Sequence, residues 1–534
     1  MAENQLDATG DDKIVVGIIL DRRGDPPFVS VKKLWNGVVA LLSDCFTVRV
    51  YSVDRFDINC DNDAFRAFAK GINVLVLLSP YYSLDRNIAR APAVILSLGS
   101  LHKGGYWLSK NRASIRQGDM LVLNSRSCQH ILDTTVPSYP LSTALIPLGI
   151  DTGVFRPRTD KKAIRARHNI PEDAFVLVYS GRINIQKNAH LLLSVMDGLR
   201  ESDDIPDGNA HLVLVGFFDD FYIPEFSEKT PPQSRAAFHR LLELLGVGDR
   251  VTVIPHQDDP DRLSEILACA DLGITLGTQI GENFGYTLVE MQSCGLPVVC
   301  SAWAGFQDTV RHGVTGFQVN TALTDYGVRV NYEQAAAYVK LLMEDRARLA
   351  TMAEAARDHA REYDTSAFGR RLHRAVEASA ARALGNELSE ADFSFSPTLA
   401  RYHRLLDGYG ESHHVSWEHL YPRRDLDSYR QIISCCVSYD ASEVRWHSDD
   451  RIAKGFDWVM ESADRIVYRD PRWTPALELE GIAFSPDELE VLWRVDQGMR
   501  RVGDLMAHLR EDDISALLGK LADKGIILPA TRTH

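Results

Sequence analysis

Two kinds of segment are missing from this chain. No apolar run is long enough to cross a bilayer as a helix. The opening residues, MAENQLDATGDDKIVVGI, carry neither a basic n-region nor an apolar h-region. A cytoplasmic protein without a transmembrane segment is therefore expected. CxxC spacing is missing as well. The eight cysteines are scattered, apart from the adjacent Cys435 and Cys436, so they are expected to be reduced and mostly structural. Positive charge is in deficit: Lys+Arg 59 against Asp+Glu 73 leaves −14, which argues against nucleic acid as the main partner.

What is present describes a globular protein of several domains. At 534 residues the chain is too long for one core. Its first half repeats one pattern. KIVVGIIL, FTVRVYSV, INVLVLLSP, AVILSLGS and DMLVLNS are short apolar runs fit for strands buried on both faces, separated by helical or loop stretches. ALIPLGID ends this unit, over 13–150. The pattern then restarts with AFVLVYSGRI, AHLVLVGF, VTVIPH, LGITLG and LPVVCSAW, a second sheet over roughly 165–320. Strands alternating with helices predict two parallel, doubly wound sheets, that is, an α/β fold of two Rossmann-like domains facing across a cleft. Residues 333–383 read as helices that complete a second domain over 151–384. Composition shifts around 385–400, and 395–534 is expected to form an accessory region.

One segment concentrates carboxylates around a glycine. GENFGYTLVE places Glu282 and Glu290 with seven residues between them, ahead of and inside a short predicted helix that Gly295 and Pro297 end. Free amides at a helix start hold phosphate oxygens, and a carboxylate accepts from the paired hydroxyls of a sugar. Taken alone, these are two glutamates at the ends of a solvated helix. YSGRINIQKNAHLLL adds Arg182 and Lys187, five apart, after a strand and at the head of a helix. Two cations there suit a diphosphate, although by themselves they read as surface residues. DND at 61–63 lacks a metal-site context, and His413 and His414 lack a third ligand at recognisable spacing, so no metal is expected.

In combination and in order, these segments resemble the GT-B retaining glycosyltransferases of family 4. ALIPLGIDTGVFRP resembles that family's hinge, SGRINIQK its diphosphate clamp, and GENFGYTLVEMQSCGLPVVCSAWAGFQDTVRHGVTGFQV its E-x7-E donor site and following glycine-rich loop. LMEDRARLATMAEAARDHAREYDTSAFGRRL resembles its closing helices, and the likeness covers roughly 13–383. The resemblance implies transfer of a sugar from a nucleotide diphosphate sugar to an acceptor hydroxyl, with retention and without a metal. Arg182 and Lys187 would grip the diphosphate and Glu290 the ribose. Glu282, with the backbone around Asn283, Phe284 and Gly285, would hold the transferred sugar. The donor is a substrate, and no cofactor is implied.

Two features depart from the family pattern. The first loop offers only Gly24 in DRRGDPPF where the family often has paired glycines that contact the diphosphate. His102 in AVILSLGSLHKGG sits a few residues later than the family's histidine. It either lines the cleft beside the transferred sugar or is an ordinary loop histidine, and Ser100 and Lys103 share that alternative.

The tail exceeds what such a transferase needs. SPDELEVLWRVDQGMRRVGDLMAHLREDDISALLGKLADKGIIL reads as three short helices ending in a strand, with Leu489, Leu492, Trp493, Leu505, Leu509, Leu517, Leu518 and Leu521 as candidate core. This α+β stretch, about 465–530, is similar to winged-helix modules, and its Asp and Glu content disfavours DNA. The tail is expected to meet an acceptor (a peptide, a protein or a small molecule) or another partner, and residues 1–384 are expected to hold the donor site alone. Two alternatives stand beside the transferase: a nucleotide-sugar epimerase on the same fold, and a non-catalytic sugar-binding partner that acts through its tail.

Overall fold

The computed structural model describes residues 13–21, 29–53, 63–78, 84–97, 105–136, 138–139, 141–184, 187–200, 209–218, 234–279, 282–325, 327–383, 394–408, 426–463, 465–468, 482–509 and 511–530. The apolar runs form two parallel six-stranded sheets. The first contains β1 (Val15–Asp21), β2 (Thr47–Val53), β3 (Val74–Leu77), β4 (Ala93–Leu96), β5 (Met120–Leu123) and β6 (Ser142–Leu145), in the order β2-β1-β3-β4-β5-β6. The second contains β7 (Phe175–Ser180), β8 (Ala210–Gly216), β9 (Val251–Pro255), β10 (Leu272–Thr275), β11 (Val298–Ser301) and β12 (Gly316–Val319), in the order β12-β11-β10-β7-β8-β9. Interior strands such as β3, β5 and β8 are buried along their whole length, as parallel strands covered on both faces must be. β2, β6 and β9, at the sheet edges, carry the exposed positions. β6 and β12, four residues each, are strands that the sequence reading did not single out.

Two compact units divide the chain by contact rather than by sequence order. The first comprises 1–124, 136–149 and 366–396, and the second 125–135, 150–365 and 397–534. This differs from the division at 150 and 384 in two places. Helix Arg126–Thr135 belongs to the second unit, where Asp308 Oδ2 accepts from the Arg126 N–H at 2.6 Å. Helix Thr365–Ala383 packs almost wholly in the first: His373 Nε2 donates to the Leu41 carbonyl at 2.8 Å and stands edge-on to Phe46.

The tail is likewise knit into the second unit instead of standing apart from it. β13 (Thr321–Thr324) and β14 (Gly327–Val330) form an antiparallel hairpin, and β15 (Tyr439–Asp440) adds to β13 in parallel. Asn331, fully buried, donates from Nδ2 to the carbonyls of Pro529 and Ala530. Arg500 pairs with Glu333 at 3.2 Å, and Arg329 Nε donates to the Gly525 carbonyl. Within the tail, β16 (Ile452–Lys454) pairs antiparallel with β19 (Ile527–Pro529), and β17 (Trp458–Ser462) with β18 (Arg465–Tyr468). The three expected helices are Pro486–Asp496, Val502–Met506 and Glu511–Asp523. A capping box of Ser485 and Glu488 starts the first. Leu492, Leu505, Leu518 and Leu521 enter the core as expected, whereas Trp493 points out, 40% exposed.

Candidate functional site

In an open α/β sheet, ligands bind beyond the carboxyl ends of the strands, where strand order reverses. In the second sheet that point lies between β7 and β10, because the chain runs from β7 outward to β9 and then returns to β10. The residues that follow these two strands are the ones the sequence singles out.

β7 leads into Gly181 and Arg182. A side chain on Gly216, the last residue of β8, would come within 1.8 Å of the Gly181 carbonyl, so the two backbones touch there. The buried Tyr179 hydroxyl donates to the Arg182 carbonyl at 2.6 Å. Burial pushes that hydroxyl's pKa well above its ordinary value, so it stays a donor. Arg182 Nη2 then donates to Gln279 Oε1 at 3.0 Å, across to the loop after β10.

The second cation is positioned by two asparagines. Asn184 Oδ1 accepts from the Lys187 N–H at 3.0 Å. Asn188, held at φ +49°, donates to the Leu276 carbonyl at 2.8 Å and to Thr278 Oγ1 at 3.0 Å. Asn tolerates the left-handed region better than most residues. The turn aims Lys187 at Glu282, and the two form an ion pair whose side chains are 17% and 20% exposed. The pair is mostly desolvated, so salt screens it less than a surface pair.

Glu282 leads the loop into helix Tyr286–Ser293. Gly285 caps that helix at φ +83°. A Cβ on it would approach Leu288 and the Phe306 ring within 2.7 Å, so position and conformation both demand glycine. Phe284 is an anchor: 2% exposed, it stands edge-on to Tyr286 and Tyr363. Glu290 lies inside the helix, 9% exposed. Its charge adds to burial in raising the pKa of the Tyr286 hydroxyl. Behind the loop runs 301–307. Ser301 Oγ donates to the Gly277 carbonyl at 2.6 Å, and the buried Trp303 Nε1 to the Gln279 carbonyl at 2.9 Å.

Arg182, Lys187 and Glu282 are thus brought together, with Asn283, Phe284, Gly285 and Glu290 on the adjoining loop and helix. His102 and Gly24, with Ser100 and Lys103, lie outside the described residues. Gln279, Asn184, Asn188 and Trp303 are the site residues that sequence reasoning missed. Asn184 and Asn188 lie within YSGRINIQKNAHLLL and Trp303 within the segment that begins GENFGYTLVE, but as uncharged residues they gave no signal there, and Gln279 lies just ahead of that second segment. Two cations beside a carboxylate and a helix start suit an anionic ligand that also carries hydroxyls. Among the described residues no group of three or more His, Cys, Asp or Glu side chains could hold a metal ion.

Among known proteins, the family-model match falls on the part of the chain that carries this site. Residues 160–359 match the family model for glycosyl transferases group 1. The D-inositol 3-phosphate glycosyltransferase 1 of Catenulispora acidiphila is 30% identical over 249 residues, covering 46% of this chain and 54% of that protein. The D-inositol 3-phosphate glycosyltransferase of a Nocardioides species is 33% identical over 211 residues, covering 39% of this chain and 44% of that protein. The chain spans about half the length of the curated relatives it matches. Among solved structures, Anabaena Alr3699/HepE in complex with UDP has a TM-score of 0.52 at 18% identity, covering 68% of this chain and 99% of that one. Sucrose-phosphate synthase from Thermosynechococcus elongatus has a TM-score of 0.52 at 19% identity, covering 69% and 100%. The two sheets are the Rossmann-like domains of a GT-B fold.

Proposed function

We propose that the protein is a group 1 glycosyltransferase that moves a sugar, with retention, from a nucleotide diphosphate sugar to an acceptor hydroxyl. The observation that carries the reading is the convergence of Arg182, Lys187 and Glu282 at the switch point of the second sheet. UDP sugars are the first donors to test, since the Anabaena neighbour is described in complex with UDP. The family likeness over 160–359 favours this reading over a silent binding protein.

In the proposed reaction the bond from the anomeric carbon to the diphosphate breaks, and a bond to the acceptor oxygen forms on the same face. The acceptor proton passes to the departing phosphate oxygen, so no side-chain nucleophile is required. Arg182 and Lys187 stabilise the charge that grows on that oxygen. Glu290 holds the ribose, and Glu282 with the 283–285 backbone holds the transferred sugar. Positive charge at the leaving group comes from side chains and a helix start, so the reaction runs without a metal. The tail is the proposed meeting place for the acceptor or another partner, built on a winged-helix-like arrangement of its three helices.

The test is a thermal-shift screen against UDP-, GDP-, ADP- and dTDP-sugars, followed by turnover with the best donor in EDTA. A donor that binds native protein raises apparent stability with ligand excess. Arg182→Ala should then lose about 10²–10³ in rate, as when one charge-stabilising donor is removed. No shift with any nucleotide sugar, or strict dependence on added Mg²⁺ or Mn²⁺, refutes the corresponding part. Donor incubated without acceptor should keep its sugar configuration; an epimerase would change it.

A further inference from the structure

The loop behind the donor site is bonded on both sides. Toward the site, Trp303 Nε1 donates to the Gln279 carbonyl, and a Cβ on Gly305 would lie 2.1 Å from the Asn283 carbonyl oxygen. The Phe306 ring lies against Gly285, at the head of helix Tyr286–Ser293. Loop 301–307 therefore acts as a mould for 279–285. On its other side stands the tail. The Cys436 carbonyl accepts from the Ala304 N–H at 2.8 Å and from Gln307 Nε2 at 3.0 Å.

Ala304 makes that contact informative. It is one of three non-glycine residues with positive φ among the described residues, at +44°. Such a conformation persists where the surroundings over-determine it. Its backbone N–H is the group that the tail carbonyl holds. The tail segment is itself held from two more directions. Gln431 Nε2 donates to the Thr134 carbonyl, and Ser438 Oγ accepts from the Thr321 N–H at 3.0 Å. The Cys436 carbonyl therefore sits on a fixed frame.

We propose that the C-terminal region is a structural part of the donor site, and that Gln307 is the positioning residue through which it acts. Gln307 and Ala304 lock loop 301–307 onto the Cys436 carbonyl, and the loop holds Asn283 and Gly285 in the shape that receives the transferred sugar. This rests on reading 282–290 as the donor site. The region beyond 395 then sets the geometry of the sugar-holding loop as well as any contact it makes with a partner.

The experiment uses the full chain with two variants. Gln307→Leu removes the amide donor, and Gln307→Glu keeps its shape while placing an acceptor against the Cys436 carbonyl. Hydrogen exchange without ligand reads the amides of 283–288. Both variants should speed their exchange by about fivefold or more, with the strands of the first sheet unchanged. UDP-sugar binding should weaken by about five- to tenfold, the loss expected from one hydrogen bond, and bare UDP binding by less. Faster exchange confined to 302–308 and 434–438, with 283–288 unchanged, overturns the proposal. So does equal weakening of UDP and UDP-sugar. A wild-type chain that binds no nucleotide sugar rejects the donor reading alone, because the exchange measurement still decides whether the tail braces the loop.

Discussion

Glu282 and a diphosphate compete for the same cation, and that competition gives a prediction of unusual sign. Lys187 is paired with Glu282 in a site where both side chains are about four-fifths covered. An ammonium that bridges the carboxylate and an incoming phosphate would leave the two anions roughly 5–6 Å apart, and at an effective dielectric of about 20 their repulsion is about 3 kcal/mol per unit charge. Residual solvent access and salt reduce this to roughly 1–2 kcal/mol, a factor of about 5–30 in affinity. Glu282→Gln removes that repulsion and keeps the side chain's shape. It should therefore tighten binding of bare UDP by this factor, while transfer of the sugar collapses because the carboxylate that holds the sugar is gone. Lys187→Ala should weaken UDP, and Lys187→Ala with Glu282→Gln should regain part of the loss. Titration calorimetry at two ionic strengths gives the magnitudes, and the gain should shrink as salt rises. If Glu282→Gln weakens bare UDP, Glu282 contacts the nucleotide and the competition argument fails.

Glu290→Gln should weaken nucleotide-sugar binding by roughly tenfold, because a carboxylate that accepts from two hydroxyls becomes an amide with one acceptor and one donor group; unchanged binding in calorimetry would remove it from the ribose contact. His359 supplies a pH prediction. Burial, reinforced by the charge of Arg311, lowers its pKa below the ordinary 6.5. The unfolded chain therefore binds more protons than the native one below about pH 6.5, and stability should fall as pH drops from there. His359 stands edge-on to Tyr363, which backs Phe284, so melting followed from pH 7 to 5 should show a shallower decline in His359→Gln; an identical slope would exclude this histidine.

The sheets were legible because parallel strands covered on both faces must be apolar throughout. KIVVGIIL and AHLVLVGF carry that signal without help from distant residues. β6 and β12 were missed because STAL and GFQV interrupt their apolar residues with Ser, Thr and Gln, whereas equally short strands such as β3 and β4 are apolar throughout. The unit boundary was misplaced for a different reason. Amphipathic helices such as Thr365–Ala383 announce an apolar face, but which core receives it depends on tertiary contacts, here Leu41 and Phe46. In the site, charged residues in motif order were visible, whereas Gln279 and Asn188 act through backbone geometry that spacing does not encode. The tail was read as separate because β15 is two residues long and its pairing with β13 leaves no periodicity.

That pairing changes what truncation should do. A chain ending near Leu384 was expected to keep the donor site, on the ground that both sheets lie before it. The structure argues otherwise. Removing the tail strips β15 from β13 and takes away the acceptors for Ala304 N and Gln307 Nε2. It also removes the Pro529 and Ala530 carbonyls from Asn331, which is 0% exposed and caps helix Tyr332–Glu344. The Gly525 carbonyl is lost from Arg329, itself 4% exposed. Some of these groups would gain water once uncovered. The remainder are left unsatisfied at about 1–3 kcal/mol each, and Thr321, Ala322 and Leu323, now buried, would form an exposed strand edge. A few such losses equal the ~5–15 kcal/mol that ordinarily holds a domain together. The truncated chain should therefore express as insoluble protein, or melt at least about 10 °C below the full chain and bind nucleotide sugar weakly. Supplying residues 395–534 as a second polypeptide should recover solubility if the interface re-forms. A soluble chain ending near Leu384, with the melting point and donor affinity of the full protein, would show that the second unit closes without its tail.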